Sequence, residues 1–333
     1  MIISRTPFRV SFFGGGTDYP EFYREHGGAV LCSTIDQYCY LSIHAISQFF
    51  QYRFRASYAK TELVQDPREF KHPLIRECLL HLDMRETLEI AHVSDLPART
   101  GLGTSSSFTV GLLHALHALR GDRVTGEDLA REAILIERER VGDAGGHQDQ
   151  YAAAYGGFIR IDFADHHGAI VRHLPISAMR IRELESYLML FYLGHEKSAD
   201  GVVSEQRKRT AQNITALLEM AQMVNVAESI LISGSDLKEF GRLLHESWQL
   251  KKSLSSGISN SAIDRAYAAA RAVGAVGGKL LGGGGRGFLL VFAAPEHHGA
   301  IRERLAKLRE VSLTFSSHGS EIIFRTPDRG IPR

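Results

Sequence analysis

Residues 96–116 read LPARTGLGTSSSFTVGLLHAL, where glycines and hydroxyl residues lead straight into an apolar, periodic stretch. Phe108, Leu112, Ala115, Leu116 and Leu119 recur at helical spacing, which predicts a helix over 106–119 with one face to bury. The preceding loop, Gly101-Leu102-Gly103-Thr104-Ser105-Ser106-Ser107, offers backbone N–H groups with little side-chain obstruction. Behind it stands the positive end of the helix, so the pair predicts a cradle for an anion. Hydroxyl residues at a helix start also serve as N-caps without any ligand, and the local pattern alone leaves that alternative open.

The cradle is not of the Walker type, because the one Gly-Lys pair, Gly278-Lys279, is followed by Leu280 rather than Ser or Thr. Lys and Arg number 39 against 38 Asp and Glu, so no global field recruits nucleic acid or an anionic membrane and anion binding must be local. With 333 residues, 44% of them hydrophobic, the chain can bury a substantial core, and its length suggests two domains. No apolar run approaches the roughly 20 residues of a membrane span, and the start lacks the order of a signal peptide, so a cytoplasmic location is expected. Cys32, Cys39 and Cys78 show no ligand spacing and are expected to be core thiols.

Two further segments narrow the reading. Residues 7–19 read PFRVSFFGGGTDY and residues 277–288 read GGKLLGGGGRGF. With the middle loop, and in that order, they resemble the three motifs of the GHMP kinases, the family of galactokinase, homoserine kinase, mevalonate kinase and phosphomevalonate kinase. Within the family the likeness is strongest to the heptose 7-phosphate kinase branch, carried by SRTPFRVSFFGGGTDYP at the start, GHQDQYAAAYGG at 146–157, ESWQLKKSLSSGIS at 246–259 and FSSHGSEIIF at 315–324.

Strand-like runs (2–4, 9–13, 29–34, 38–46, 88–92, 158–163) mix with helical stretches near 20–26, 73–83, 106–119 and 125–140 without strict alternation. This predicts an α+β domain. Thr125 and Asp128 resemble a capping box at the head of the last of these helices. After a strand near 188–193 the chain is mostly helical (199–222, 225–232, 236–248, 260–273, 296–307), and strands return at 287–292, 311–314 and 322–324. The order suits a ferredoxin-like second domain, and the resemblance implies the same: a two-domain α+β GHMP kinase fold, with a ribosomal protein S5 domain 2-like domain over 1–175 and a ferredoxin-like domain over 176–333.

Phosphoryl transfer asks a protein to align oxygens and neutralise charge, so a metal ligand, a base and a cation should converge on the cradle. Glu137 shares a stripe with Ala130, Ala133 and Ile134, an expensive place for a carboxylate unless it pairs with Arg138 or Arg140 or binds a metal. Asp149 lies in a glycine-flanked turn and either caps the segment after it or serves chemistry. Arg9 sits in an apolar alternation with Phe8, Val10 and Phe12, pointing to the opposite face.

The resemblance implies roles for these residues. Asp149 becomes the general base, Arg9 its charged partner, and Glu137 and Ser105 the ligands of Mg2+. Pro97, Gly101, Leu102, Gly103, Thr104, Ser105, Ser106 and Ser107 become the ATP cradle. Gly16, Thr17, Asp18 and Tyr19 are expected at the sugar, with Gly283 and Gly284 from the last motif, and His195 and Lys197 as phosphate contacts. Two positions depart from the family pattern: Lys197 stands where relatives carry arginine, and Arg286 where they keep a small residue. The implied activity is an ATP- and Mg2+-dependent sugar kinase acting on the anomeric hydroxyl of D-glycero-D-manno-heptose 7-phosphate to give the 1,7-bisphosphate. The alternatives are a kinase of fucose, galactose or another sugar, and a non-catalytic sugar and nucleotide sensor. The expected partners are the sugar phosphate and ATP, without nucleic acid or membrane, and a homodimer is admitted.

Overall fold

The computed structural model describes residues 1–47, 49–164, 168–194 and 201–326. Eight strands make a first sheet: β1 (Ile2–Phe13), β2 (Gly28–Ala45), β3 (Phe54–Ser57), β4 (Thr61–Val64), β5 (Leu88–Ser94), β6 (Phe158–Phe163), β7 (Ala169–His173) and, from the far end of the chain, β12 (Glu321–Arg325). Its order is β12-β1-β2-β5-β3-β4, with β6 paired to the first half of β2 and β7 paired to β6. The second sheet holds β8 (Leu188–Tyr192), β9 (Ala275–Leu280), β10 (Phe288–Ala293) and β11 (Arg309–Val311). Its antiparallel order β11-β8-β10-β9 is the 4-1-3-2 arrangement of a ferredoxin-like domain.

Five helices belong to the first half: α1 (Pro20–His26), α2 (Pro73–His81), α3 (Thr104–Arg120), α4 (Gly126–Ile134) and α5 (Gln148–Tyr155). Six follow: α6 (Ala178–Ser186), α7 (Val202–Lys208), α8 (Ile214–Ser233), α9 (Leu237–Ser253), α10 (Ser261–Arg271) and α11 (His298–Arg304). The helices expected at 199–222 and 225–232 are instead the short α7 and a 20-residue α8. By length and mean hydropathy of 1.2, α8 resembles a membrane-crossing helix, yet Leu217, Met220, Val224 and Leu231 on it are buried in the fold.

β1 is one strand through Pro7, not the two short ones expected, because its register against β2 slips between Pro7 and Phe8. At that slip Ser107 Oγ donates to the Pro7 carbonyl at 2.7 Å. β1 is buried on both faces beyond Thr6, covered by α3 and α5 and, from the second half, by α8 and α9. Phe12 and Phe13 meet Phe240 of α9, and Phe240 meets Phe292 of β10, so one core runs through both sheets. The pairing of β12 with β1 carries residues beyond 176 back into the first sheet. All three cysteines are buried free thiols, and burial pushes Cys32 up to about 12.

Thr125 caps α4 in a complete capping box with Asp128. The helix expected to run to 140 changes pitch: residues Leu135–Arg140 form a π-helical turn in which Val141 N donates to Ile136 O. Ile136 and Glu137 are both buried in this turn.

Candidate active site

α3 begins on Gly103, whose left-handed backbone (φ 73°, ψ 22°) turns the loop into the helix, and no side chain caps it. The hydroxyls are used elsewhere. Ser106 Oγ donates to Glu137 Oε2 at 2.8 Å, Ser107 to Pro7, and Thr104 Oγ1 accepts from Arg99 N at 3.0 Å. The first N–H groups of α3 therefore keep the open, positively polarised end that the helix start gives them. Leu102 is fully buried beneath the loop, and its carbonyl accepts from Arg9 N at 3.0 Å.

Arg9 and Asp149 meet in front of that helix end. Arg9 Nε donates to Asp149 Oδ1 at 2.8 Å and Nη2 to Oδ2 at 2.7 Å, a bidentate pair, while Nη1 donates to Gly101 O at 2.6 Å. Asp149 stands in the first turn of α5, where the helix dipole favours a carboxylate, and it makes no cap. Arg9 is 4% exposed, so the strand alternation that pointed it away from Phe8 and Val10 pointed it into this cleft.

Glu137 is 1% exposed and receives Thr109 Oγ1 at 2.7 Å, Ser106 Oγ, and Gln150 Nε2, with Arg138 Nη2 at 3.5 Å. Burial raises its carboxyl above the usual range, opposed by Arg138 and these donors. Ser105 Oγ lies 3.5 Å from Glu137 Oε1, and both residues line the cleft. Two neighbouring oxygens of an octahedral Mg2+ site stand about 2.9 Å apart, given Mg–O near 2.0–2.1 Å, so the pair fits such an ion after a small shift of the serine.

Asp18 is 2% exposed and fixed by its neighbours. Gly16 N donates to Oδ1 at 2.8 Å and Gln148 Nε2 to Oδ2 at 3.0 Å, and a Cβ on Gly146 would lie 2.0 Å from Oδ2. Gly16 and Tyr19 also line the cleft. Thr17 does not: its hydroxyl donates inward to Gly14 O and Ala29 O at 2.8 and 2.9 Å, which makes it the brace of the turn and removes it from the substrate set. Gly283, Gly284 and Arg286 also line the cleft. His195 and Lys197 lie outside the described residues.

The cleft encloses about 260 Å³ and shares Arg99, Thr104, Ser105, Glu137 and Asp143 with a larger cavity of about 860 Å³. Phe8, Tyr58, Leu74, Pro97, Phe108 and Val141 make that cavity largely apolar, so Pro97 belongs to it and not to the loop's anion face. Arg138 stands beside Glu137 as its pairing alternative suggested, whereas sequence reasoning missed Thr109 and Gln150, which contact Glu137, Gln148, which contacts Asp18, and Lys251, which lines the cleft. Ordinary helix and loop positions carry them, and only the fold brings them together.

Models of the GHMP kinases N terminal domain and GHMP kinases C terminal match residues 73–157 and 206–310. Fold and cleft thus define a class, the small-molecule kinases that take their phosphoryl group from ATP. The chain belongs to the GHMP kinase family. It is 27% identical over 318 residues to the D-glycero-alpha-D-manno-heptose 7-phosphate kinase of Campylobacter jejuni, covering 88% of this chain and 90% of that one. It is also 27% identical to the bifunctional fucokinase/GDP-fucose pyrophosphorylase of Arabidopsis thaliana, over 91% of this chain but only 31% of that longer protein. The solved D-glycero-D-manno-heptose 1-phosphate kinase of Bacteroides thetaiotaomicron superposes with a TM-score of 0.80 at 25% identity, covering 98% of this chain and all of that one.

Proposed function

We propose that this kinase phosphorylates the anomeric hydroxyl of D-glycero-D-manno-heptose 7-phosphate, giving the 1,7-bisphosphate. The observation that carries the reading is the bidentate Arg9–Asp149 pair, set between the open end of α3 and the Asp18 turn. The likeness to the Campylobacter jejuni enzyme over nearly the full length supports the choice of sugar.

In this reading the nucleoside occupies the apolar cavity and the triphosphate crosses the N-terminus of α3 along Gly103, Thr104 and Ser105. Asp18 holds sugar hydroxyls. Asp149 accepts the proton of the anomeric hydroxyl as its oxygen bonds to the γ-phosphorus, and the bond to the β-phosphate oxygen breaks to release ADP. Arg9 orients the carboxylate and faces the charge that develops on the transferred group. Ser105 and Glu137 are the residues that would hold Mg2+, which neutralises phosphate charge when bound.

The test is a panel of heptose phosphates, hexose phosphates, fucose, galactose and other free sugars with MgATP, followed by ADP release. Fastest turnover of the heptose 7-phosphate supports the assignment, and preference for a free sugar refutes it. The fucokinase matches make L-fucose the first competitor to include.

A further inference from the structure

Two ammonium groups take no part in the arrangement above. Lys251 of α9 and Lys279 of β9 both line the cleft, 6% and 5% exposed. Lys251 Nζ donates to Gly15 O at 3.0 Å and Gln206 Oε1 at 3.1 Å, and Lys279 Nζ donates to Phe12 O at 2.9 Å. These acceptors are all neutral. Among the described residues no carboxylate stands within ion-pair distance of either lysine, and Asp18, the nearby acid, has its oxygens engaged by Gly16 and Gln148.

Burying two like charges against carbonyl dipoles alone is unfavourable, and an anion between them relieves it. An ammonium has three N–H donors, so each lysine keeps at least one beyond the bonds named. A third donor stands beside them. Ser11, two residues along β1 from Arg9 and on the same strand face, is 6% exposed, lines the cleft, and its hydroxyl has no partner. Two of the donors flank the Gly15–Gly16 turn: a Cβ on Gly16 would lie 3.5 Å from Lys251 Nζ, and one on Gly15 would lie 3.8 Å from Ser11 Oγ, while Lys279 is tied to Phe12 O on the strand that leads into the turn and lines the same cleft.

We propose that Lys251, Lys279 and Ser11 form a subsite for a phosphate monoester already present on the acceptor sugar. A dianion matches the two cations, and its three terminal oxygens match the spare donors, which a carboxylate would leave partly unused. The subsite lies beside the Asp18 turn, so the acceptor is held at two points, hydroxyls on Asp18 and phosphate on the lysines. The inference rests on the kinase reading and sharpens it: the acceptor is a sugar phosphate, and free sugars are poor substrates.

The experiment has two arms. Inorganic phosphate is titrated by calorimetry into the nucleotide-free protein, its Lys251→Met, Lys279→Met and Ser11→Ala variants. In parallel, kcat/KM is measured for heptose 7-phosphate and hexose 6-phosphates against the same sugars without phosphate. The native protein is expected to bind phosphate and to prefer phosphorylated acceptors. Each lysine variant is expected to weaken phosphate binding and cut that preference by roughly 10- to 100-fold. Ser11→Ala removes no existing bond, so it tests the subsite even if a lysine variant folds poorly, and it lowers the same ratio by a smaller factor.

A merely structural lysine would depress both substrates alike and leave the ratio unchanged, which overturns the proposal. So does native protein that binds no phosphate or prefers free sugars, or lysine variants that lose ATP affinity with the acceptor ratio intact. Failure of the kinase reading shows separately, as phosphate binding without ADP release from any acceptor.

Discussion

Gly101 and Gly282 touch backbone to backbone. A Cβ on Gly282 would lie 2.4 Å from Gly101 Cα, and one on Gly101 would lie 2.2 Å from Leu281 O. Both have positive φ, 84° and 83°. The contact locks the last glycine loop of the chain onto the loop that heads α3, and with it fixes two walls of the cleft. Gly282→Ala is expected to cost about 1–3 kcal/mol of stability and to part the loops. Thermal unfolding together with kcat/KM for MgATP checks this, and an unchanged kcat/KM would show the contact to be dispensable.

Asp149→Asn keeps an oxygen for Arg9 but cannot take a proton at the reacting hydroxyl. Turnover should fall by about 10²- to 10⁴-fold. ATP affinity, measured by calorimetry, should stay within a few fold. Turnover near the native rate would remove Asp149 from the chemistry.

Glu137 gives a pH signature. Because burial raises its carboxyl in the folded state, the folded chain binds more protons than the unfolded chain above the ordinary glutamate value near 4.5. Stability contributed by this residue is therefore lost as pH rises through that window. Glu137→Gln should gain in melting temperature relative to the native protein between pH 5 and 8, helped by Gln150, whose unpartnered Oε1 can turn to accept. The same variant should raise the half-saturating Mg2+ concentration by about tenfold or more, the loss of one charged ligand. A Mg2+ requirement equal to the native one would sink the metal assignment.

Gly146 is the floor under Asp18. Gly146→Ala should displace the Asp18 carboxylate and raise the acceptor KM by about tenfold, the loss of one charged hydrogen bond, while leaving the KM for ATP unaltered. Equal changes in both constants would point to general collapse of the cleft.

The two lysines titrate low. Burial pushes Lys251 down to about 8 and Lys279 down to about 7, with Asp18 opposing both and Arg9 and Lys251 adding to the fall at Lys279. Against an unfolded value near 10.4, the unfolded chain binds more protons across the interval, so stability climbs from about pH 7 toward 10. Lys279→Met should flatten that climb in a series of thermal melts. A phosphate ester keeps constant charge above about pH 7.5, so loss of its affinity between pH 7.5 and 9.5 reports the lysines, with proton uptake on binding near pH 8. Affinity flat across that range would separate the lysines from the ester.

Much of this molecule was legible before folding was considered. The loop at 101–107, the amphipathic helix behind it, the capping box at Thr125 and Asp128 and the glycine turns are local devices, set by backbone freedom and short-range periodicity that the sequence writes directly. The candidate residues Arg9, Asp18, Ser105, Glu137 and Asp149 were readable from motif and alternation, and the structure brings all five to one cleft.

The tertiary structure decided what depends on contacts between residues far apart in the chain. It turned Ser106 and Ser107 inward to Glu137 and Pro7, widened the helix into a π turn at Leu135–Arg140, and spent the Thr17 hydroxyl on Gly14 and Ala29. It returned β12 to the first sheet and buried Lys251 and Lys279 beside Asp18. None of these has a local signature. Where a hydroxyl bonds, and whether a lysine meets water or carbonyls, depends on which distant backbone is packed against it, and that is settled only when the core closes.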